Sequence, residues 1–544
     1  MGLVVTHSTP RNRQLDRRSS HYTRSTIMRL ATSSRFLTQT FRRHHLKPLV
    51  SVRTSVSLAE DPKCHPEQSV KKFHEIPGPK SLPVVGTIYL YLMGVYSFTQ
   101  LHKTGLKKYL KYGPIVREEI VPGNSVVWIF DPNDMEHLFL SENNLPQRRS
   151  HLAVGVLRKD RPHVYNTGGL LTTNGEDWWK LRKEFQKGFS APQAVRAYLP
   201  VTDNIIQEFV ASRLMQQRDD YLPELSRLFL QLTCLVAFDK KFDCFSTNEM
   251  KPDSMSSRLM DAALTTNSLV LTLDNEKNVK KARSWKKFES AMLYMEDVAV
   301  ELVKEKADSL AKENKEESEN TVPSLLELYL SSPNLDYKDV VGMSVDLLLA
   351  GIDTTAYTAS FALYYLAKNE RVQNFLRLES QKILQSPEDP VTAKTLANAP
   401  YARAVLKEVF RMSPISVGVG RIATQDIVLS GYNVPKGTNI VTQNQISCRL
   451  EKYFARPNEF LPERWIKGSP LQVKDNPFLV LPFGHGPRSC IARRLAEQHL
   501  LTLLLRIVHN HKIIWTSKKE LDCKTLLINK PDQELKFTFS KITN

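Results

Sequence analysis

Apolar residues recur at spacings of three and four over residues 288–311, so the pattern predicts an amphipathic helix that runs into a solvated charge run at 312–320. Residues 340–368 and 491–509 carry longer apolar patterns of the same helical kind. Alternation replaces the helical period at 115–130, where Ile115-Val116-Arg117, a turn at Pro122-Gly123-Asn124 and Val126-Val127-Trp128-Ile129-Phe130 predict a hairpin. Short strand signals return at Ile427-Val428-Leu429, Asn439-Ile440-Val441 and 535–539. Pro77-Gly78-Pro79 and Pro83 mark a stiff, non-helical entry, because proline fixes φ. The apolar segment 82–98 is too short for a bilayer span and carries Tyr89, Tyr91 and Tyr96. No internal repeat is visible. The expected fold is one large body, mainly α with small β-sheets.

Composition changes this picture only at the amino end. The chain has 544 residues, with 75 basic and 57 acidic side chains and a net charge of +18. Length alone would allow three or four domains. The 41% apolar and 24% charged content is that of an ordinary globular protein and excludes collagen, a disulfide scaffold and a disordered tail as the bulk of the chain. Residues 1–59 hold ten Arg, one Lys and one acid, Asp16, or +10, which leaves a mild +8 for the remainder. A nearly balanced body gives no reason to expect nucleic acid. Arg-, Ser- and Thr-rich sequence almost free of acids, with Leu30, Phe36, Leu37, Phe41 and Leu46 among the arginines, describes a mitochondrial transit peptide over residues 1 to about 55. A disordered basic tail is the alternative, and Met28 offers an internal start. The functional domain is then 56–544.

Six cysteines (Cys64, Cys234, Cys244, Cys448, Cys490 and Cys523) lack CxxC spacing, which argues against a zinc cluster or redox pair. Cys490 alone has a distinctive setting: Pro482-Phe483-Gly484-His485-Gly486-Pro487-Arg488-Ser489-Cys490, followed at once by a helical pattern. Two glycines and a proline prescribe a tight loop. A cysteine at a helix start meets free N–H groups and partial positive charge, so a lowered pKa and a thiolate, nucleophile or metal ligand, are expected. Within the long helix, Ala350-Gly351-Ile352-Asp353-Thr354-Thr355 breaks local rules: a mid-helix glycine costs about 1 kcal/mol against alanine, and the polar run adds to that. Such a break suggests a functional site.

Together these segments closely resemble the cytochrome P-450 superfamily, the haem-thiolate monooxygenases. The pattern Phe-Gly-x-Gly-x-Arg-x-Cys-x-Gly is matched from Phe483 to Cys490 and departs at its last position, where Ala492 replaces glycine. The resemblance implies a P-450 fold with haem b between the long distal helix and the cysteine-loop helix, and makes Cys490 the iron ligand. It also places Phe483, Gly484 and His485 at the haem. Thr354 would then hydrogen-bond the dioxygen substrate, Asp353 would belong to the proton path, and the gap at Gly351 would leave room for O₂. Trp178 and Arg182 match the family's Trp-x-x-x-Arg propionate clamp; Arg488 and Arg421 would be further clamps. Glu408 and Arg411 match its Glu-x-x-Arg pair, joined by Arg464 in Phe460-Leu461-Pro462-Glu463-Arg464-Trp465, with a structural role bracing the haem loop.

The transit-type leader places the chain in the mitochondrial branch, whose members take electrons from an acidic 2Fe-2S ferredoxin with its NADPH-dependent reductase. Arg403 and Lys407, one helical turn apart, and Arg493 and Arg494 match the basic residues expected to dock it. Peripheral association with the matrix side of the inner membrane is part of the same expectation. Residues 351–358 and 490–498, Ala492 included, look like those of arthropod ecdysteroid 22-hydroxylases, so a sterol or ecdysteroid substrate is expected. Hydroxylation at carbon 2 or 20, or of a xenobiotic, is the neighbouring possibility. A haem isomerase, a haem-binding sensor and a cysteine hydrolase using His485 as base are more distant ones. The substrate pocket would be lined by 152–171 and 347–350 and closed by 415–419.

Overall fold

The computed structural model describes residues 70–274, 278–312, 322–473 and 476–542; the leader expected over 1–55 and nearly all of the 312–320 charge run lie outside them. All described residues belong to one unit, Gln68–Asn544. The helices that build the site are α1 (Leu101–Tyr112), α2 (Leu152–Lys159), α3 (Gly175–Ser190), α4 (Leu222–Phe238), α5 (Met255–Asp274), α6 (Trp285–Lys312), α7 (Tyr337–Lys368), α8 (Glu370–Ile383), α9 (Pro400–Met412) and α10 (Arg493–Asn510).

The expected helices form, with shifted ends that have local causes. The long one begins at Tyr337, three residues early, because Asp336 and Asp339 make a reciprocal capping box: Asp339 N donates to Asp336 Oδ1 at 3.0 Å and Asp336 N to Asp339 Oδ2 at 3.2 Å. The last starts at Arg493 rather than at 491, with Ala492 as its N-cap. α7 is the axis of the core. It is flanked by α4, α5, α6 and α9, and α4 itself is buried continuously from Glu224 to Phe238, the mark of a helix enclosed on every side. One helix among the described residues, α7, is long and apolar enough to cross a membrane, but 78% of its most apolar window is buried within the body.

Gly351 shows why these two helices approach so closely. A methyl group built there would lie 2.7 Å from Thr233 Oγ1 and 3.0 Å from Thr233 Cγ2 on α4. The missing side chain therefore serves helix–helix contact. Gly351→Ala gains about 1 kcal/mol of helix propensity but overpacks a close contact at a cost of about 1–3 kcal/mol. The expected result is a net loss of stability, read as a lower denaturant midpoint of the haem-loaded protein; a raised midpoint would contradict it.

The sheets are small and set to one side. The hairpin β1 (Ile115–Val121) and β2 (Asn124–Ile129) forms as expected. β3 (Gly420–Ile422), β4 (Ile427–Leu429), β5 (Tyr432–Val434) and β6 (Asn439–Thr442) follow, and the four-stranded sheet has the order β1-β2-β6-β3, with β2 and β6 parallel. β7 (His511–Trp515) pairs with β10 (Phe537–Lys541), and β8 (Cys523–Thr525) with β9 (Asn529–Pro531). The last strand starts at Phe537 rather than 535, because the Leu535 N–H goes to Asp220 Oδ1 at 2.9 Å. Segment 82–98 holds only a short helix, Ile88–Leu92. It is fastened to β1 by Thr87 and Tyr91, whose hydroxyls donate to Glu118 Oε1 at 3.3 and 3.1 Å, beside the fully buried Lys108–Glu118 ion pair that joins α1 to β1.

Candidate functional site

The cysteine loop has the geometry its glycines allow. Gly484 and Gly486 take φ of 72° and 71°, a region that favours glycine. A single 3₁₀ turn, Gly486–Arg488, follows, and Cys490 N donates to Phe483 O at 2.8 Å to close the loop. Cys490 keeps accessible surface although protein atoms surround it. The sulfur therefore lies on the wall of an internal space rather than on the outer surface. Burial pushes its thiol pKa up; the Ala492 N–H, Arg182 and Arg493 act in the opposite direction and do not prevail. This corrects the expected lowering: Cys490 precedes the N-cap of α10 by two residues, and desolvation outweighs what the helix end supplies. A bound metal cation is the charge that would turn this thiol into a thiolate.

The opposite wall comes from α7. In its middle, Leu347, Ala350, Gly351 and Thr354 keep accessible surface while their neighbours are buried; the spacing puts all four on one helix face. Thr354 Oγ1 donates to Ala350 O at 2.7 Å, which leaves its lone pairs to accept. Asp353 is buried, one carboxylate oxygen accepting from Asn267 Nδ2 at 3.1 Å and the other, Oδ1, without a hydrogen-bond partner. Desolvation raises its pKa to about 6 against the smaller lowering effects of Asn267, Lys530 and Tyr357.

Around the same space stand guanidiniums with too few acids. Arg488 donates Nε to Pro146 O (2.8 Å) and Nη2 to Thr173 O (2.6 Å) and Asn174 Oδ1 (2.7 Å), but its buried Nη1 has no partner. The Trp178 ring lies 4.0 Å beneath it. Arg182 uses only Nε, toward Gln186 at 2.8 Å, and the buried Nε of Arg148 is unpartnered. Desolvation pulls Arg488 to about 9 and Arg182 and Arg148 to about 10, and repulsion among neighbouring arginines adds to it for Arg488 and Arg148. Glu142, ion-paired to Arg421 Nε at 2.6 Å, and Asp346, which acts on Arg148, are the acids beside these guanidiniums. Orphaned donors and uncompensated positive charge are what two propionates would satisfy, and a soft sulfur ligand faces the same space. The donor set fits haem.

Arg421, expected as a clamp, is already occupied by Glu142, Gly420 O and His485 O, so it braces the cysteine loop. The His485 ring packs between Phe139 and Phe478, with centroids at 5.5 and 4.8 Å, so the base that a cysteine hydrolase would need belongs to an aromatic cluster instead. Phe483 stacks edge-on to Phe410 and lies under Arg493.

Glu408, Arg411 and Arg464 come together in the interior. Glu408 accepts from Arg411 Nε (2.9 Å) and Nη2 (2.8 Å), Arg464 Nε (3.2 Å), Leu461 N (2.9 Å) and Trp465 Nε1 (2.9 Å). Of the four expected docking cations, Arg403 is half-buried, its guanidinium donating to Leu396 O and to Ala397 O at 2.7 Å. Lys407, Arg493 and Arg494 are exposed, Arg493 paired to Glu497 at 3.1 Å and Arg494 donating to Ser190 O at 2.6 Å. Arg148, Glu142 and Asn267 were invisible to sequence reasoning: none lies in a spaced motif, and only folding brings them to the site.

Residues 76–539 match the family profile described as Cytochrome P450. The chain is 47% identical over 473 residues to "Cytochrome P450 302a1, mitochondrial" of Drosophila melanogaster, covering 85% of this chain and 94% of that one. It is 31% identical over 480 residues to "Cytochrome P450 12b1, mitochondrial" of Drosophila acanthoptera, covering 85% and 88%. In fold it is similar to the solved structure of retinoic acid bound cyanobacterial CYP120A1, with TM-score 0.70 and 20% identity over 87% of this chain and 100% of that one.

Proposed function

Because the chain belongs to the cytochrome P450 family and is a haem-thiolate monooxygenase, we propose that it works in the mitochondrial branch and hydroxylates an ecdysteroid precursor at side-chain carbon 22. The observation that carries this reading is the 47% identity to Cytochrome P450 302a1, mitochondrial, and the resemblance of 351–358 and 490–498 to arthropod ecdysteroid 22-hydroxylases supports it. Similarity to relatives named mitochondrial supports the compartment, as does the basic leader, proposed as a transit peptide over 1 to about 55.

The net reaction consumes one substrate C–H bond, one O₂, two electrons and two protons, and yields an alcohol and one water. Haem held by a thiolate supplies O₂ binding and O–O cleavage, which the electron-rich sulfur favours. The residues do the rest. Cys490 is the sulfur ligand; Arg488, Arg182 and Arg148, with Trp178 under Arg488, hold the propionates. Ala492 adds a methyl group in the turn that follows the sulfur. The apolar face of α7 and the roof at 152–171 seat the sterol and exclude water. Asp353, with a pKa near 6, holds or releases a proton close to neutrality, and the Thr354 hydroxyl, able to accept while it donates to Ala350 O, passes it on. Lys407, Arg493 and Arg494 offer the positive face for an acidic ferredoxin reduced by its NADPH-dependent reductase, and the assembly works peripherally at the matrix side of the inner membrane.

The test is incubation of the purified holoenzyme with ferredoxin, reductase, NADPH and an ecdysteroid that lacks the 22-hydroxyl. A 22-hydroxylated product is expected; oxidation at carbon 2 or 20 would overturn the regiochemistry. In the same assay Thr354→Ala is expected to keep consuming NADPH while product per NADPH falls by roughly tenfold or more, the scale of a lost proton-transfer group. Unchanged coupling would remove Thr354 from the relay.

A further inference from the structure

Asp353 is held by a residue of a different helix, and that helix also contacts segment 152–171, proposed above as the roof of the pocket. Asn267 of α5 donates its amide Nδ2 to Leu349 O at 2.9 Å and to Asp353 Oδ2 at 3.1 Å. Both Asn267 and Asp353 are buried. The first contact fixes the amide against the α7 backbone, and the second fixes one carboxyl oxygen and leaves Oδ1 buried and without a hydrogen-bond partner. At the end of α5, Asp274 Oδ1 accepts from Ala153 N at 3.1 Å, in the first turn of α2, which opens the roof segment 152–171. One helix thus touches both α2 and the acid.

We propose that Asn267 is a positioning residue for proton delivery, tying the closed roof of the pocket to the orientation of Asp353. This deepens the proposed function and rests on its reading of Asp353 as part of the proton path. A neutral amide suits the task, because an N–H donor is accepted both by a carboxylate and by the carbonyl oxygen of the neutral acid. A lysine at this position would lock the carboxylate in its charged form. The titratable groups that act on Asp353 are Tyr357 on its own helix and Lys530 on β9, while α4 presents the neutral Thr233 beside Gly351. In each turnover Asp353 gives a proton toward the oxygen side and regains one from solvent, so its own balance is unchanged. Removing the amide takes away a stabiliser of the carboxylate, and the acid then titrates at higher pH.

The experiment compares full-length holoenzyme with Asn267→Ala, Asn267→Ser and Asp353→Asn, each reconstituted with ferredoxin and reductase. Asn267→Ala is expected to lower product per NADPH by roughly 3- to 10-fold, to shift the pH profile of turnover toward alkaline pH and to raise the solvent isotope effect. Its haem spectrum and substrate affinity should stay those of the parent, and Asn267→Ser, which keeps a donor, should recover part of the coupling. Wild-type coupling and pH profile in Asn267→Ala, alongside a defective Asp353→Asn, would overturn the proposal. So would loss of haem or substrate binding in Asn267→Ala with an unshifted pH profile, because that describes a merely structural residue. An unaffected Asp353→Asn would instead sink the underlying reading of the acid.

Discussion

Cys490→Ala is expected to abolish thiolate-type haem ligation and reduce hydroxylation to background. The sulfur is exposed to the internal space from a loop whose two left-handed glycines and closing bond to Phe483 O leave it little freedom. Among the described cysteines, Cys234, Cys244 and Cys448 are buried, and Cys523 bonds His102, so none of these four replaces it. The substitution removes one exposed side-chain atom group from a cavity wall and creates no void, so folding should be little affected. The measurement is the carbon monoxide difference spectrum of the reduced protein, paired with product formation. The red-shifted Soret band of thiolate ligation should vanish in the variant; its persistence would move the ligand elsewhere.

Glu408→Ala should be the most damaging change outside the cavity. It strips the acceptor shared by Arg411, Arg464, Trp465 and the Leu461 N–H, and leaves two buried guanidiniums without their counter-charge. Breaking a buried ion pair by removing one partner costs about 3–5 kcal/mol, against a whole-domain stability of about 5–15 kcal/mol. Arg411 also donates to Cys448 O (2.8 Å) and Pro457 O (2.7 Å), and Arg464 to Arg456 O (2.6 Å), so the loss spreads into the segment around 448–464. Expected is a protein recovered in low yield with a thermal midpoint many degrees lower and reduced haem content. A melt like that of the parent would mean the brace is dispensable.

Elements set by local pattern were legible in the sequence; contacts set by the chain's return were not. The β1–β2 hairpin, the strand at Ile427–Leu429 and the long helices follow from alternation, turn residues and helical period. The parallel pairing of β2 with β6 does not, because its partners lie more than three hundred residues apart in the sequence. The loop motif located Cys490, yet the sign of its pKa shift depends on burial, which spacing does not encode. Gly351 was readable as an anomaly, but only the position of Thr233 reveals what the anomaly is for. The motif position of Arg403 gives no hint that its donors go to Leu396 O and Ala397 O. Asn267 had no sequence signal at all, being one polar residue on a mixed helix.

The intimate contact of α7 with α4 at Gly351 restricts how this enzyme could change its preferences. A wall pressed against its neighbour with only the Thr233 side chain between them cannot retreat to admit a bulkier sterol without disturbing Thr233 and the acid two residues on. Adaptation to a new skeleton is therefore channelled away from this contact, to the 152–171 segment. Divergent homologues with altered regiochemistry should accumulate their replacements there.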